Sequence, residues 1–375
     1  MINRVEHLRR NQIVNGGSFY TPARFVKIAA EWLKRDGVGP AYTTIDTSCG
    51  YGAFFQLQAY LPENRYLGND IDPVAAQIAR ENFPHIEIFC RNALSGAGRA
   101  AFGLHDEKIC VVGNPPYNDV TSQIGRGVKT AHHAAAPELR ARDLGLSFLK
   151  SYAALRAGRV LILHPLSYLI KRANFTAAKS FFSRYEIRES LVFSSHEFAD
   201  TSRFGEFPIV MVLYAESPQN GLTCSAVRHH TFRTLEGDSF RLSDFDYVAD
   251  HIRKYPGRKR YTPEILFYTL RDINALRRSR TFLSERCVGA VDVPPEKLPY
   301  YCYIDLFKRY AQVPYWMGNF DVPFRAATFA RHVNDITALS KSLHPEVFGV
   351  QPMPEKSAER RVKAYIRSVL RGNQR

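Results

Sequence analysis

Paired cysteines are missing from this 375-residue chain. Its six, Cys49, Cys90, Cys110, Cys224, Cys287 and Cys302, include no CxxC pair, and none stands at zinc spacing from a histidine. The scatter argues against a disulfide framework and a structural zinc site, and for a reducing compartment. His132-His133 and His229-His230 are adjacent pairs; sequence neighbours rarely face one ligand, so no metal is expected. Also missing is any stretch near the ~20 apolar residues of a membrane span. Met1-Ile2-Asn3-Arg4 lacks the apolar core of a signal peptide, so the sequence reads as intracellular, with no membrane partner.

Acidic charge is scarce toward the carboxyl end. The formal net charge is +15, and residues 225–375 hold 26 Lys+Arg against 16 Asp+Glu. Such an asymmetry suits a polyanion, most simply nucleic acid, whose phosphates attract Lys and Arg through counterion release. The length predicts two domains, because single cores stop growing near ~250–300 residues. Pro218-Gln219-Asn220-Gly221 is a turn cluster beyond which the regular pattern ends, so the boundary is placed between 1–220 and 221–375.

Within the first part, short apolar runs alternate with amphipathic stretches. The strand candidates are Thr43 to Asp46, Tyr66 to Asn69, Ile86 to Phe89, Lys108 to Gly113, Arg159 to His164, Ile187 to Phe193 and Ile209 to Tyr214. Helices are predicted over Pro73 to Asn82 and Leu144 to Arg156. This is an α/β pattern, a mostly parallel seven-stranded sheet with helices on both faces. The last two strands have no convincing helix between them and are expected to pair antiparallel. Residues 118–142 lack periodicity and follow the strand Lys108 to Gly113, which suits a mobile lid. In the carboxyl-terminal part, Glu264 to Arg280 and Ala358 to Arg371 read as helices. Arg258-Lys259-Arg260-Tyr261, and the crowd from Tyr300 to Trp316 with Lys308 and Arg309, interleave bases with aromatics as nucleic-acid surfaces do.

A third glycine is absent from the first loop. Asp46-Thr47-Ser48-Cys49-Gly50-Tyr51-Gly52-Ala53-Phe54 follows the first strand and opens a helix, but a dinucleotide fingerprint requires glycine where Phe55 stands. A smaller nucleoside ligand is favoured over a pyrophosphate. Gly50 and Gly52 let the backbone turn tightly and approach it. Asp70, at the tip of the second strand, takes the place from which such folds bind ribose hydroxyls. Ile71 beside it is suited to pack on an adenine ring, and Asn92 after the third strand to read the adenine edge. Asn114-Pro115-Pro116-Tyr117 then caps the fourth strand with one amide, a stiff carbonyl-presenting backbone and one aromatic face. Those are the parts needed to methylate an exocyclic amino group.

Together these residues resemble the S-adenosylmethionine-dependent amino-methyltransferases of DNA, more narrowly the gamma-group adenine-N6 enzymes of bacterial restriction-modification systems. The resemblance covers roughly residues 16–215. Its motifs run in that group's order: Gly17-Ser18-Phe19-Tyr20-Thr21-Pro22, Asp46 to Phe54, Asp70-Ile71-Asp72-Pro73, then Asn114-Pro115-Pro116-Tyr117. It implies a Rossmann-like methyltransferase sheet with a carboxyl-terminal mixed α+β target-recognition domain. S-adenosyl-L-methionine is the implied cofactor, with Thr21, Asp46 and Ser48 as contacts beside Gly50, Asp70, Ile71 and Asn92, and with Asn114 and Pro116 also facing it. The family usually has an acid where Asn92 stands, and His164 occupies an often apolar position. Double-stranded DNA is the implied partner, with a cognate restriction endonuclease, in a cytoplasmic, nucleoid-associated, bacterial or phage-encoded setting.

For chemistry, the Asn114 amide oxygen and the Pro115 carbonyl each accept an N–H of adenine N6, aiming its lone pair at the methyl group. The base must leave the stacked duplex. Tyr117 then stacks on it, and the family's second aromatic wall falls on Phe198, with Phe204 and Phe207 as rivals. Three other functions remain open on the sequence: methylation of an RNA adenine, methylation of a protein glutamine, and a non-catalytic DNA-binding specificity protein.

Overall fold

Short runs with apolar residues, too short for helices, form the strands β1 (Tyr42–Asp46), β2 (Arg65–Asp70), β3 (Glu87–Cys90), β4 (Lys108–Gly113), β5 (Arg159–Pro165), β6 (Tyr185–Ser194) and β7 (Pro208–Glu216). The computed structural model describes residues 21–96, 98–117, 135–198 and 206–371. Residues 17–20 of the first motif, His132-His133, most of the expected lid and Phe204 lie outside them. The strand order is β3-β2-β1-β4-β5-β7-β6, parallel through β5, with β7 antiparallel to both neighbours. This is a Rossmann-like sheet, as the resemblance implies, and the antiparallel β6–β7 pair is where the missing helix placed it. Among the described residues the sheet has nine strands rather than the expected seven: β8 (Phe232–Thr234) lies parallel to β6 and is followed at the edge by β9 (Ser239–Phe240). Strands of three and two residues carry no readable period, so the sequence did not announce them. The strand order, not the strand direction, reverses between β1 and β4, which makes their carboxyl ends the natural ligand crevice.

Three helices position this edge: α1 (Ala23–Arg35), α2 (Pro73–Asn82) and α3 (Leu144–Ala154). Helix α1 buries Phe25, Val26, Ala29, Ala30, Trp32 and Leu33 on one face. Phe25 stacks on Phe193 of β6 with ring centroids 4.1 Å apart, a burial contributing about 2–3 kcal/mol per large side chain. Asp72 caps α2, its Oδ1 accepting from Val74 N at 2.9 Å, and Pro73 occupies the first turn, where its missing N–H costs nothing.

The helix expected after the glycine loop is instead a 3₁₀ turn, Ala53–Ala59, burying Phe54, Phe55 and Leu57. Phe55, which replaces the third glycine of a dinucleotide loop, is packed against two glycines. A Cβ on Gly52 (φ +86°) would lie 2.7 Å from the Phe55 ring, and one on Gly68 in β2 would lie 2.6 Å from its tip. Gly52 therefore makes room for this ring and for that of Phe83. Gly68→Ala is expected to cost about 1–3 kcal/mol through overpacking; thermal melts of the variant test this, and an unchanged midpoint would show that Phe55 has room to move.

The chain divides into two compact units, Met1–Val227 with Phe232–Asp238, and Arg228–Thr231 with Ser239–Arg375. The second unit is mixed α+β. Its own sheets are built from β10 (Asp246–Tyr247), β11 (Leu266–Tyr268), β12 (Phe282–Leu283), β13 (Ala290–Asp292) and β14 (Pro323–Phe324). β10 pairs with β14, and β11 lies between β12 and β13, all antiparallel. Its longer helices are α4 (Ile273–Arg278), α5 (Leu298–Tyr310), α6 (Val333–Ser342) and α7 (Lys356–Leu370).

The helix expected from Glu264 to Arg280 is corrected to a strand followed by α4. Leu266-Phe267-Tyr268 has two strand partners to pair with, and Asp272 starts the helix by accepting from Ala275 N at 2.9 Å. Tyr301 and Tyr303 are buried, and Trp316 stacks on Phe240 at 4.4 Å, so much of the aromatic crowd is core. The buried Asp305 ties this core together. It accepts from Thr281 Oγ1 at 2.6 Å, Ser340 Oγ at 3.0 Å and His344 Nε2 at 3.0 Å. Burial pushes the Asp305 carboxyl up, but the His344 and Thr281 hydrogen bonds outweigh it and hold the group below the usual carboxylate range.

Candidate cofactor and transfer site

The loop after β1 is folded over the tip of β2. Asp70 Oδ2 accepts from Gly50 N at 2.8 Å, and its Oδ1 accepts from Asp72 N at 2.9 Å. Cys49 N donates to Asn69 O at 2.9 Å. Gly50 sits at φ +53° with open space where a Cβ would point, so its glycine is required by conformation rather than by crowding. Asp70 thus fixes the glycine loop through backbone N–H groups on both of its carboxylate oxygens. Ile71 beside it is 51% exposed, and Val74, the second residue of α2, is exposed too.

Asp46 closes the floor. It is buried, and its Oδ1 accepts from Ser48 N at 3.1 Å. Burial pushes its carboxyl up to about 8, the Ser48 N–H pulls it partly back, and the Asp70 charge raises it further. Burial likewise raises Asp70. Ser48 Oγ is buried and has no hydrogen-bond partner among the described residues. Such an atom normally has one, which fits a ligand donating or accepting there. Asn92 behaves differently: its amide oxygen accepts from Leu94 N at 2.9 Å and closes a turn. Asn69, which sequence reasoning passed over beside Asp70, is the hidden positioning residue. Its buried Nδ2 donates to Thr47 O and Arg91 O, both at 3.0 Å, binding the loops after β1 and β3 to the tip of β2.

The end of β4 lies against Asp46. A Cβ on Gly113 would meet Asp46 Oδ1 at 2.9 Å, so only glycine permits this approach. Asn114-Pro115-Pro116-Tyr117 therefore begins directly beside the acid at the end of β1. The Asn114 Oδ1 is buried. Tyr117 is 7% exposed, and burial together with the Asp143 charge drives its hydroxyl far above its usual range, so it stays protonated. Asp143 caps α3, accepting from Gly145 N at 2.9 Å and from the Tyr168 hydroxyl. This acid beside Tyr117 carried no sequence signal beyond its place at the start of a helix.

Thr21 is buried just before α1, where Phe25 N donates to Pro22 O at 3.0 Å and Arg24 pairs with Glu197. The start of the chain's first described segment thus adjoins the turn after β6. Phe198, in that turn, is 1% exposed, and its ring packs edge-on against Phe193 with centroids 5.9 Å apart. Phe207 is half-buried, its N–H on Ser195 Oγ at 3.1 Å. His164 is buried, with Nε2 2.8 Å from the Tyr214 hydroxyl and Nδ1 2.9 Å from Pro165 O. Burial lowers it to about 4, so it is a neutral core histidine and no proton acceptor at neutral pH.

Among the described residues, no group of three or more His, Cys, Asp and Glu is arranged to hold a metal. Nor is any helix there long and apolar enough to cross a membrane.

No protein-family model matches the chain, and no curated protein matches it. Solved structures similar to it include methyltransferases. One is a modification subunit of a putative type I restriction enzyme from Vibrio vulnificus YJ016, at 12% identity and TM-score 0.43, covering 60% of this chain and 49% of that one. The chain thus spans about half the length of that subunit. A putative class I S-adenosylmethionine-dependent methyltransferase from Listeria monocytogenes is 12% identical at TM-score 0.42, covering 62% and 76%. A putative RNA methyltransferase from Pyrococcus horikoshii is 13% identical at TM-score 0.36, covering 53% and 86%. At such identities the likeness concerns the fold, and the substrate is argued from the residues.

Proposed function

We propose that this chain is a DNA adenine-N6 methyltransferase using S-adenosyl-L-methionine, with duplex DNA as substrate. The observation that carries this reading is the meeting of Gly113 with Asp46, which sets Asn114 beside the glycine loop at the carboxyl ends of β1 and β4. The residues fit the cofactor. Ser48 Oγ lacks a partner among the described residues, Ile71 offers an exposed apolar face for adenine, and the buried Asp46 suits a cation. When bound, the cofactor supplies an activated methyl group on sulfur.

The protein's own part is to hold the acceptor nitrogen. Adenine N6 is a poor nucleophile because its lone pair is shared with the ring. Accepting its two N–H bonds on the Asn114 amide oxygen and the Pro115 carbonyl turns that lone pair toward the methyl group. The same oxygens offset the positive charge growing on nitrogen. No strong base is needed, consistent with a protonated Tyr117 and a neutral His164 nearby in the fold. Tyr117 acts through its ring face, a stacking contribution of about 1–3 kcal/mol per base. Tyr117 and Phe198 are both covered, so entry of a flipped base requires side chains to move around them.

Incubation with the cofactor and a mixed-sequence duplex, followed by nucleoside digestion and mass spectrometry, is expected to show N6-methyladenine. N4-methylcytosine alone, or methylation confined to RNA or protein, would overturn the assignment.

A further inference from the structure

The loop Arg253–Tyr261 of the second unit carries five basic residues, Arg253, Lys254, Arg258, Lys259 and Arg260, and no acid. Their roles are unequal. Lys254 pairs with Asp321, and its carbonyl accepts from Leu270 N at 3.0 Å. Arg260 donates from Nη1 to Gly257 O and to Asp292 Oδ2, both at 2.9 Å. Asp292 is buried and also takes two bonds from Arg286, which in turn pairs with Glu264. Tyr301 Oη donates to Arg253 O at 2.8 Å, so the loop is fastened at both ends and across its turn. Between these anchors Arg258 and Lys259 are exposed, and neither has a carboxylate partner among the described residues. Tyr255 is 57% exposed beside them. Lys259 Nζ lies 5.0 Å from the Tyr261 ring centroid.

A fastened loop whose tip holds adjacent unneutralised cations has already lost the conformational freedom that binding would otherwise take away. Its remaining charge is repulsive until a polyanion arrives. Resting on the DNA reading above, we propose that this loop is a grip for the phosphate backbone of duplex DNA. Arg258 and Lys259 contact phosphates, Tyr255 lies against the sugar edge, and Arg260 is a positioning residue that shapes the loop through Asp292. Phosphate contacts are blind to sequence, so the grip sets affinity and register rather than the recognised site.

The test measures duplex binding by the full chain across salt concentrations, for wild type, Arg258→Ala/Lys259→Ala and Arg260→Ala. Losing two phosphate contacts is expected to reduce the slope of log affinity against log salt by about two. Affinity of the double variant should fall to a similar degree on specific and nonspecific duplexes, with cofactor binding and thermal midpoint unchanged. Arg260→Ala should lower the midpoint while changing the slope by less than one contact. A double variant that keeps the wild-type slope, where wild type shows a steep one, would overturn the grip and leave the DNA assignment standing. A wild-type chain with no salt-dependent duplex binding would overturn both.

Discussion

Asn114→Ala is expected to lower methyl transfer to adenine by about 10²–10³-fold, the scale on which removal of one preorganised polar group from a transfer site acts. Cofactor affinity should stay within about threefold, because the glycine loop is built by Asp70, Asn69 and Cys49 without Asn114. The contrast matters because Asn114 follows Gly113, which touches Asp46. If the variant lost cofactor binding together with transfer, Asn114 would be a brace for that contact. If it kept transfer, the amide would have no part in holding the acceptor nitrogen. Asn114→Asp separates the cases further: its oxygen still accepts but adds a charge beside Asp46 in a buried setting, so transfer should not recover fully.

Asp46→Asn is expected to move stability and cofactor binding in opposite directions. The Asp46 carboxyl is raised to about 8 in the fold against an ordinary value near 3.8, chiefly by burial. Between those values the folded chain holds a proton that the unfolded chain has released. Stability from this group is therefore full below about pH 4 and is lost as pH rises toward 8, by up to about 1.4 kcal/mol per pH unit. Asparagine removes that loss, so the variant should melt several degrees higher at pH 8; each kcal/mol is worth roughly 2–4 °C for a unit of this size. Under the proposed function the ionised acid faces the cofactor's positive charge. Affinity in the wild type should rise with pH by up to tenfold per unit between about pH 5.5 and 7.5, while the variant binds weakly and without that slope. Calorimetric titration at several pH values, with thermal melts alongside, reads both effects. A flat wild-type profile would remove Asp46 from the cofactor contact, and a less stable variant would show that its carboxylate is compensated by something other than solvent.

Much of the first unit was legible because its signals are local. The strands are short segments with apolar residues between turn signals, Asp72-Pro73 marks a helix start, and the strand ends carry their polar residues in order. The resemblance to amino-methyltransferases rested on those strand ends, and the sheet order agrees with the fold it implied. Contacts distant in sequence were not legible. Nothing in the motif Gly50-Tyr51-Gly52 says that Gly52 makes room for Phe55, or that Gly68 does so from another strand. Asn69 looked like a neighbour of the acid rather than the residue that ties two loops together. Asn92 offered an amide oxygen on paper, but a backbone N–H two residues later competes for it. In the second unit, Glu264 to Arg280 has helical spacing, yet Leu266-Phe267-Tyr268 finds strand partners on both sides. Tertiary pairing overrode local periodicity there. The basic cluster from Arg258 was visible as charge, but only the ion pairs separate the cations that build the loop from those left outward.

Methylation-sensitive sequencing of genomic DNA from cells expressing the wild-type chain, beside cells expressing Asn114→Ala, tests the proposed activity most directly. The expected result is N6-methyladenine at one short recurring sequence in the first sample and its absence from the second. Unmodified DNA in both samples, with new methyl groups on RNA or protein in the wild-type cells alone, would contradict it.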